Sequence, residues 1–208
     1  MFKDRIDAGL RLAEELQKYR GENLLVLAIP RGGLPVAAIV AKSLEAPLNV
    51  ALIKKIGHPN NKEFAIGAVS LEDYILTENE WAPPSYILQE TTRIREILEN
   101  RFEQYYKNVD IISIKDKTVI IIDDGIATGN TLILTVGLIA KQKPASIVVA
   151  VPVAPASAIK RLNKLGELRE IVCLEVPYNF QAVGQFYEDF DQITDVEAIN
   201  ILERANSK

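Results

Sequence analysis

Five stretches of this chain are almost wholly apolar: "NLLVLAI" (23–29), "LNVALIKKI" (48–56), "KTVIIID" (117–123), "SIVVAVPV" (146–153) and "EIVCLEV" (170–176). Runs of this length, rich in Val, Ile and Leu, predict strands that water touches on neither face. Between them the apolar spacing lengthens to that of helices. Residues 4–19 carry Leu10, Leu12, Ala13 and Leu16 near helical spacing, and "PVAAIVAKSL" (35–44) opens with a proline suited to a first turn. Helical patterns also cover about 129–142 and 155–165. Residues 83–107 form a long charged helix started by two prolines, with the charges on a solvated face. Segments 64–69 and 73–77 predict a hairpin. Strand–helix alternation of this kind implies an α/β domain, a mainly parallel sheet with helices on both sides. There is no repeat, low-complexity tract or interdomain linker, so residues 1–208 read as one domain, with about 57–110 as an insertion or flap.

Composition narrows the chemistry. The chain has 208 residues and a net charge of −4, which argues against nucleic-acid binding through a broad basic surface. The single cysteine, Cys173, cannot form an internal disulfide and reads as a buried small hydrophobe. The single histidine, His58, rules out a two-histidine metal site. The N-terminus lacks the apolar core of a signal peptide. The longest apolar run, 145–159, contains Pro152 and Pro155 and is too short to span a bilayer. A cytoplasmic protein without membrane partners is expected.

The chemistry concentrates in "IIIDDGIATGNTL" (120–132). Successive strand residues point to opposite faces, so Asp123 and Asp124 converge on one ligand only if the chain turns, which Gly125 permits. Paired carboxylates at a strand end suit vicinal hydroxyls, a metal, or both. Thr128, Gly129, Asn130 and Thr131 open the next helix, whose free N–H groups and positive dipole end favour a phosphate. Sugar hydroxyls on the acids and a phosphate on the loop describe a ribose 5-phosphate. Neither a Walker A loop nor a G-x-G-x-x-G turn is present. "PRGG" (30–33) sits at another predicted strand end, where ligands of open parallel sheets bind.

"VIIIDDGIATGNT" (119–131) resembles the phosphoribosyl pyrophosphate (PRPP) signature of type I phosphoribosyltransferases, and "IPRGGLPVA" (29–37) is similar to that family's pyrophosphate loop. "KKIGHPNNKEFAIGAV" (54–69) and "VPYNFQAVGQFYEDF" (176–190) resemble segments of a less characterised branch. The likeness extends from about residue 5 to about 202. It implies a central, mainly parallel sheet flanked by helices, with a small hood built by both termini. It further implies that Asp123 and Asp124 hold the ribose hydroxyls and that Gly125 and Ala127 through Thr131 wrap the 5-phosphate. Arg31, Gly32 and Gly33 would bind pyrophosphate, with Lys54 and Lys55 as supplementary charges and a cis peptide at Arg31–Gly32. Mg²⁺ would act largely through PRPP, with Asp123 and Asp124 nearby.

The chain departs from this pattern at Ala127, where hypoxanthine and guanine enzymes commonly carry an acid. Glu63, in the expected flap, is the substitute acid–base group, alongside Arg31 as the catalytic cation. Phe180 maps to a base-stacking aromatic, Tyr178 is a second candidate, and Glu188 and Asp189 lie near where a second Mg²⁺ would sit. Phe186 and Tyr187 read as packing residues. The expected activity is transfer of the phosphoribosyl group from PRPP to a nitrogenous acceptor, by a protein that forms a homodimer. A PRPP sensor without turnover and a PRPP or nucleotide hydrolase are the alternatives.

Overall fold

A computed structural model describes residues 1–77 and 82–207; the side chain of Glu63 lies outside the described set. Five strands form one wholly parallel sheet: β1 (Leu24–Ala28), β2 (Leu48–Val50), β6 (Thr118–Ile122), β7 (Ser146–Val153) and β8 (Leu168–Glu175), in the order β2-β1-β6-β7-β8. Alternation along the strands sorts their side chains. Leu24, Val26, Ala28, Ile120, Ile122, Val148 and Ala150 face one side, covered by α1 (Arg5–Leu16), α2 (Gly33–Leu44), α3 (Pro84–Tyr105) and α6 (Asp195–Asn206). Leu25, Leu27, Val119, Ile121, Ile147 and Val149 face the other, covered by α4 (Asn130–Lys141) and α5 (Ala156–Leu162). Along β1, β2, β6 and β7 both faces are dry, which is why these strands read as unbroken apolar runs, whereas the edge strand β8 is mostly part-buried.

The strand order reverses between β1 and β6. From β1 the chain winds outward to β2; from β6 it winds the other way to β7 and β8. Ala28 pairs with Ile122, so the loops after β1 and β6 leave the sheet at the same level. Such a switch point opens a crevice beyond the carboxyl ends of the strands.

The run 48–56 is two strands, not one. β2 ends at Val50, a turn closed by Ile53 N–H to the Ala51 carbonyl at 3.0 Å redirects the chain, and β3 (Lys54–His58) belongs to a second sheet. That sheet is antiparallel, in the order β3-β4-β5 with β4 (Asn61–Val69) and β5 (Tyr74–Leu76), and contains the expected hairpin. Ala68 and Ile75 pack on Leu134 and Leu138 of α4, while Ile56, Ile66 and Val69 join the α3 side of the main core. In α1 the buried residues are Ala8, Gly9, Leu12, Ala13 and Leu16. Leu10, about 200° around the helix from Leu12, points outward. The charged face of α3 is not uniformly solvated: Glu90 is buried and paired with Arg93 at 2.8 Å and Lys62 at 3.5 Å.

The two ends of the chain meet beside the crevice. Phe2 bridges to Tyr187, and the amides of Glu188 and Asp189 donate to the carbonyls of Phe2 and Lys3 at 2.9 Å. Phe2, Tyr187, Phe180, Phe186 and Phe190 form an aromatic cluster around Val153. α6 starts from a complete capping box, Thr194 with Glu197.

Candidate functional site

The crevice is built where the β1 and β6 loops touch. Gly33 N–H donates to the Ile29 carbonyl at 3.0 Å, turning the chain directly from β1 into α2. A Cβ on Gly33 would stand 2.7 Å from the Ile122 carbonyl oxygen and 3.0 Å from Asp123 Cα, so only glycine lets the loops approach this closely. A Cβ on Gly32 would overlap the Asp124 carboxylate, at 2.7 Å from its Cγ. "PRGG" and "DDG" therefore form one surface. The cis peptide bond lies at Pro30–Arg31, one residue before the Arg31–Gly32 bond expected for it.

Asp124 is held at both ends. Arg5 Nε donates to its Oδ2 at 2.9 Å, and Tyr187 Oη donates to its backbone carbonyl at 2.6 Å. Burial and the Asp124 charge push the Tyr187 phenol well above its ordinary pKa, so it stays a donor. Asp123 Oδ1 accepts the Asp124 amide at 2.9 Å. Burial, and then repulsion from Asp124, raises the Asp123 carboxyl well above the usual carboxylate range. Two acids in one crevice are thus separated electrostatically, with Arg5 compensating Asp124.

The following loop has the form of an anion cup. Ile126 N–H pairs with the Val153 carbonyl at 2.9 Å, Gly129 takes φ 77° as the residue before α4, and no side chain caps that helix. Ala127, Thr128, Asn130 and Thr131 are exposed, and Arg161 ties the Thr128 carbonyl at 2.9 Å. The first-turn N–H groups of α4 have no intrahelical partner, which suits a phosphate. Gly125 is needed for space, since a Cβ there would lie 2.5 Å from Val183 Cγ1.

Arg5, Arg31, Gly32, Asp123, Asp124, Val183, Phe190 and Gln192 are among the residues that enclose a cleft of 470 Å³. Of the expected site residues, Arg31, Gly32, Asp123 and Asp124 line this cleft. Lys54 and Lys55 lie on β3, paired with Val69 and Ala68, and do not line the cleft. Glu63 belongs to β4, its side chain outside the described residues. Phe180 stacks on Phe186 at 5.5 Å in the aromatic cluster, and Tyr178 is fully exposed. Glu188 and Asp189 are exposed and do not line the cleft. Cys173 is part-buried, its thiol pushed up to about 11 by burial, consistent with a packing role.

Three contributors carried no sequence signal or were read otherwise. Arg5 arrives from the N-terminal helix, Tyr187 adds a hydrogen bond to its packing, and Asp195 takes Arg31 Nη1 at 3.3 Å and Tyr105 Oη at 3.2 Å. Among the described residues no group of three or more His, Cys, Asp or Glu side chains is arranged to hold a metal. Among them, too, no helix is long and apolar enough to cross a membrane.

A profile of the phosphoribosyl transferase domain matches residues 3–190. A Mycobacterium tuberculosis (strain CDC 1551 / Oshkosh) protein, "Putative phosphoribosyl transferase MT0597", is 37% identical over 212 residues, covering 99% of this chain and 47% of its own length. The chain thus spans about half the length of that relative. TT1426 from Thermus thermophilus is 38% identical, with a TM-score of 0.90 over 99% of each chain. The AQ2163 protein from Aquifex aeolicus shares the fold, at 18% identity and a TM-score of 0.51 over 83% of this chain and 74% of its own. The domain match over nearly the whole chain, together with the crevice at the β1/β6 switch point, places this protein in the phosphoribosyl transferase domain family.

Proposed function

We propose that the chain transfers the 5-phosphoribosyl group of PRPP to a nitrogenous acceptor, a nucleobase or similar small compound, with release of pyrophosphate. The observation that carries this reading is the fusion of the two loops at the switch point. There a pair of carboxylates, an uncapped helix N-terminus and a cationic glycine loop adjoin one another. Asp123 and Asp124 take the ribose 2- and 3-hydroxyls as acceptors. The amides of Ala127 to Thr131 and the hydroxyls of Thr128 and Thr131 receive the 5-phosphate. Arg31, with the backbone of Gly32 and Gly33, meets the pyrophosphate; its planar fork matches phosphate oxygens.

Displacement at the anomeric carbon builds positive charge on the ribose ring and negative charge on the leaving group. The protein's part is to hold both ends of PRPP in fixed geometry and to set preorganised donors against the departing pyrophosphate. The carboxylate pair, with one group compensated by Arg5, stands on the ribose side, where it favours the developing positive charge. Two adjacent carboxylates fit a Mg²⁺ that keeps waters and substrate oxygens as its other ligands, and such an ion would neutralise pyrophosphate charge.

The test is pyrophosphate release from PRPP and Mg²⁺ against a panel of nucleobases and amines. Release that depends on one acceptor supports transfer. Acceptor-independent release replaces the reading with hydrolysis. Micromolar PRPP binding without release replaces it with a sensor, and no PRPP binding removes PRPP from the site.

A further inference from the structure

Arg5 belongs to none of the sequence motifs, yet it is the side chain most deeply engaged with the acid pair. It is the first residue of α1, fixed in place by the Asp4 N-cap, whose side chain accepts from the amides of Ile6 and Asp7. Its Nε donates to Asp124 Oδ2 at 2.9 Å, its Nη1 donates to the Asp191 carbonyl at 2.8 Å, and its guanidinium lies 3.9 Å over the Phe190 ring. Phe190 in turn packs on Tyr187 at 4.8 Å, and Tyr187 holds the Asp124 carbonyl. The Arg5 and Asp124 side chains are only 11% and 13% exposed, so water does not screen the pair as it would on the surface.

We propose that Arg5 is a positioning residue of the sugar site, acting through Asp124; this rests on the reading of the cleft as a ribose 5-phosphate site. Arg5 engages Asp124 through Oδ2, so the rotation of the carboxylate, and with it the direction in which Oδ1 faces, is set by this bond. Gly32 packs against the same carboxylate: a Cβ there would stand 3.1 Å from Oδ1 and nearer still to Oδ2. Arg5 thereby fixes how the Asp124 carboxylate is presented to the ligand beside its neighbour Asp123. The arrangement needs a planar group: Nε and Nη1 serve two acceptors while the face of the same guanidinium lies on Phe190. A lysine supplies the charge but not this geometry.

The experiment is calorimetric titration of ribose 5-phosphate and, separately, of pyrophosphate into the wild-type protein, Arg5→Gln, Arg5→Lys, Asp124→Asn and the Arg5→Gln/Asp124→Asn double variant. Arg5→Gln is expected to weaken ribose 5-phosphate binding at least about tenfold and pyrophosphate binding less than about threefold. Arg5→Lys should fall between Arg5→Gln and wild type. In the Asp124→Asn background Arg5→Gln should cost nothing further, because a residue that works through Asp124 has nothing left to position. Phe190→Leu removes the platform without altering either charge and should give part of the same selective loss, which keeps the test open if Arg5→Gln unfolds. Wild-type affinity in Arg5→Gln, equal losses for both ligands, or full additivity with Asp124→Asn would each overturn the proposal. A wild-type protein that ignores ribose 5-phosphate overturns the sugar-site reading itself, a result distinguishable from all of these.

Discussion

Gly32→Ala adds one methyl group at the point where the two site loops meet. Gly32 has φ −61° and ψ −32°, a conformation any residue adopts, so the backbone itself raises no objection. Alanine there would even gain about 1 kcal/mol from reduced freedom in the unfolded chain. Against this, the new Cβ would stand 2.7 Å from Asp124 Cγ. Carbon atoms rest at about 3.5–4.0 Å, so the carboxylate must retreat by about 1 Å. It cannot do so without stretching the 2.9 Å bond to Arg5. Overpacking of this kind costs about 1–3 kcal/mol, leaving a net loss of about 0–2 kcal/mol. For a domain of this size that lowers the melting temperature by no more than roughly 8 °C. Ligand binding should suffer more than stability, since the displaced atoms are those assigned to the sugar. Calorimetry should find ribose 5-phosphate binding weakened at least about tenfold, or about 1.4 kcal/mol. A variant that binds ribose 5-phosphate like wild type would refute the claim that Gly32 exists to accommodate Asp124 in its binding position.

Other perturbations test separate parts of the account. The raised carboxyl of Asp123 means the folded protein holds this proton more tightly than the unfolded chain does. Its contribution favours folding at acid pH and is lost as pH rises from the unfolded value through the raised folded one. Asp123→Asn should therefore be more stable than wild type at neutral pH, with the advantage shrinking toward pH 4; urea melts showing a less stable variant at pH 7.5 would contradict this. Gly129→Ala places a side chain at φ 77° and should cost about 1–2 kcal/mol by denaturant unfolding, with weaker phosphate binding; no loss in either would remove the cup from the site. Arg31→Ala should abolish most pyrophosphate affinity while sparing ribose 5-phosphate, and equal losses would mean the glycine loop is misassigned. Asp195→Asn releases Arg31 from a half-exposed pair at 3.3 Å, so pyrophosphate should bind a few-fold more tightly while stability changes by less than about 1 kcal/mol. Weaker pyrophosphate binding would mean that Asp195 orients Arg31 rather than competing for it.

What the sequence discloses and what it hides follow from the range of the interactions. The strands β1, β2, β6 and β7 were legible because both their faces are dry, and the acid pair and the small-residue loop after it because each is contiguous in the chain. The break between β2 and β3 was hidden because the apolar run continues through the turn at Ala51–Ile53, where Ala51 and Leu52 are buried by tertiary packing and not by a strand. α6 went unassigned although "TDVE" (194–197) is a capping-box pattern, which the structure forms in full. Arg5 left no local trace, since its partner lies 119 residues away. For Phe180 the motif supplies an aromatic residue, while its stacking on Phe186 is a contact set by the fold around it and has no local signal.

The most direct test is a crystal structure with PRPP and Mg²⁺ bound. The account predicts ribose hydroxyls on Asp123 and Asp124, the 5-phosphate among the amides of residues 127–131, and pyrophosphate against Arg31, Gly32 and Gly33. Density for PRPP in any other cavity, with the cleft between these loops empty, would contradict it.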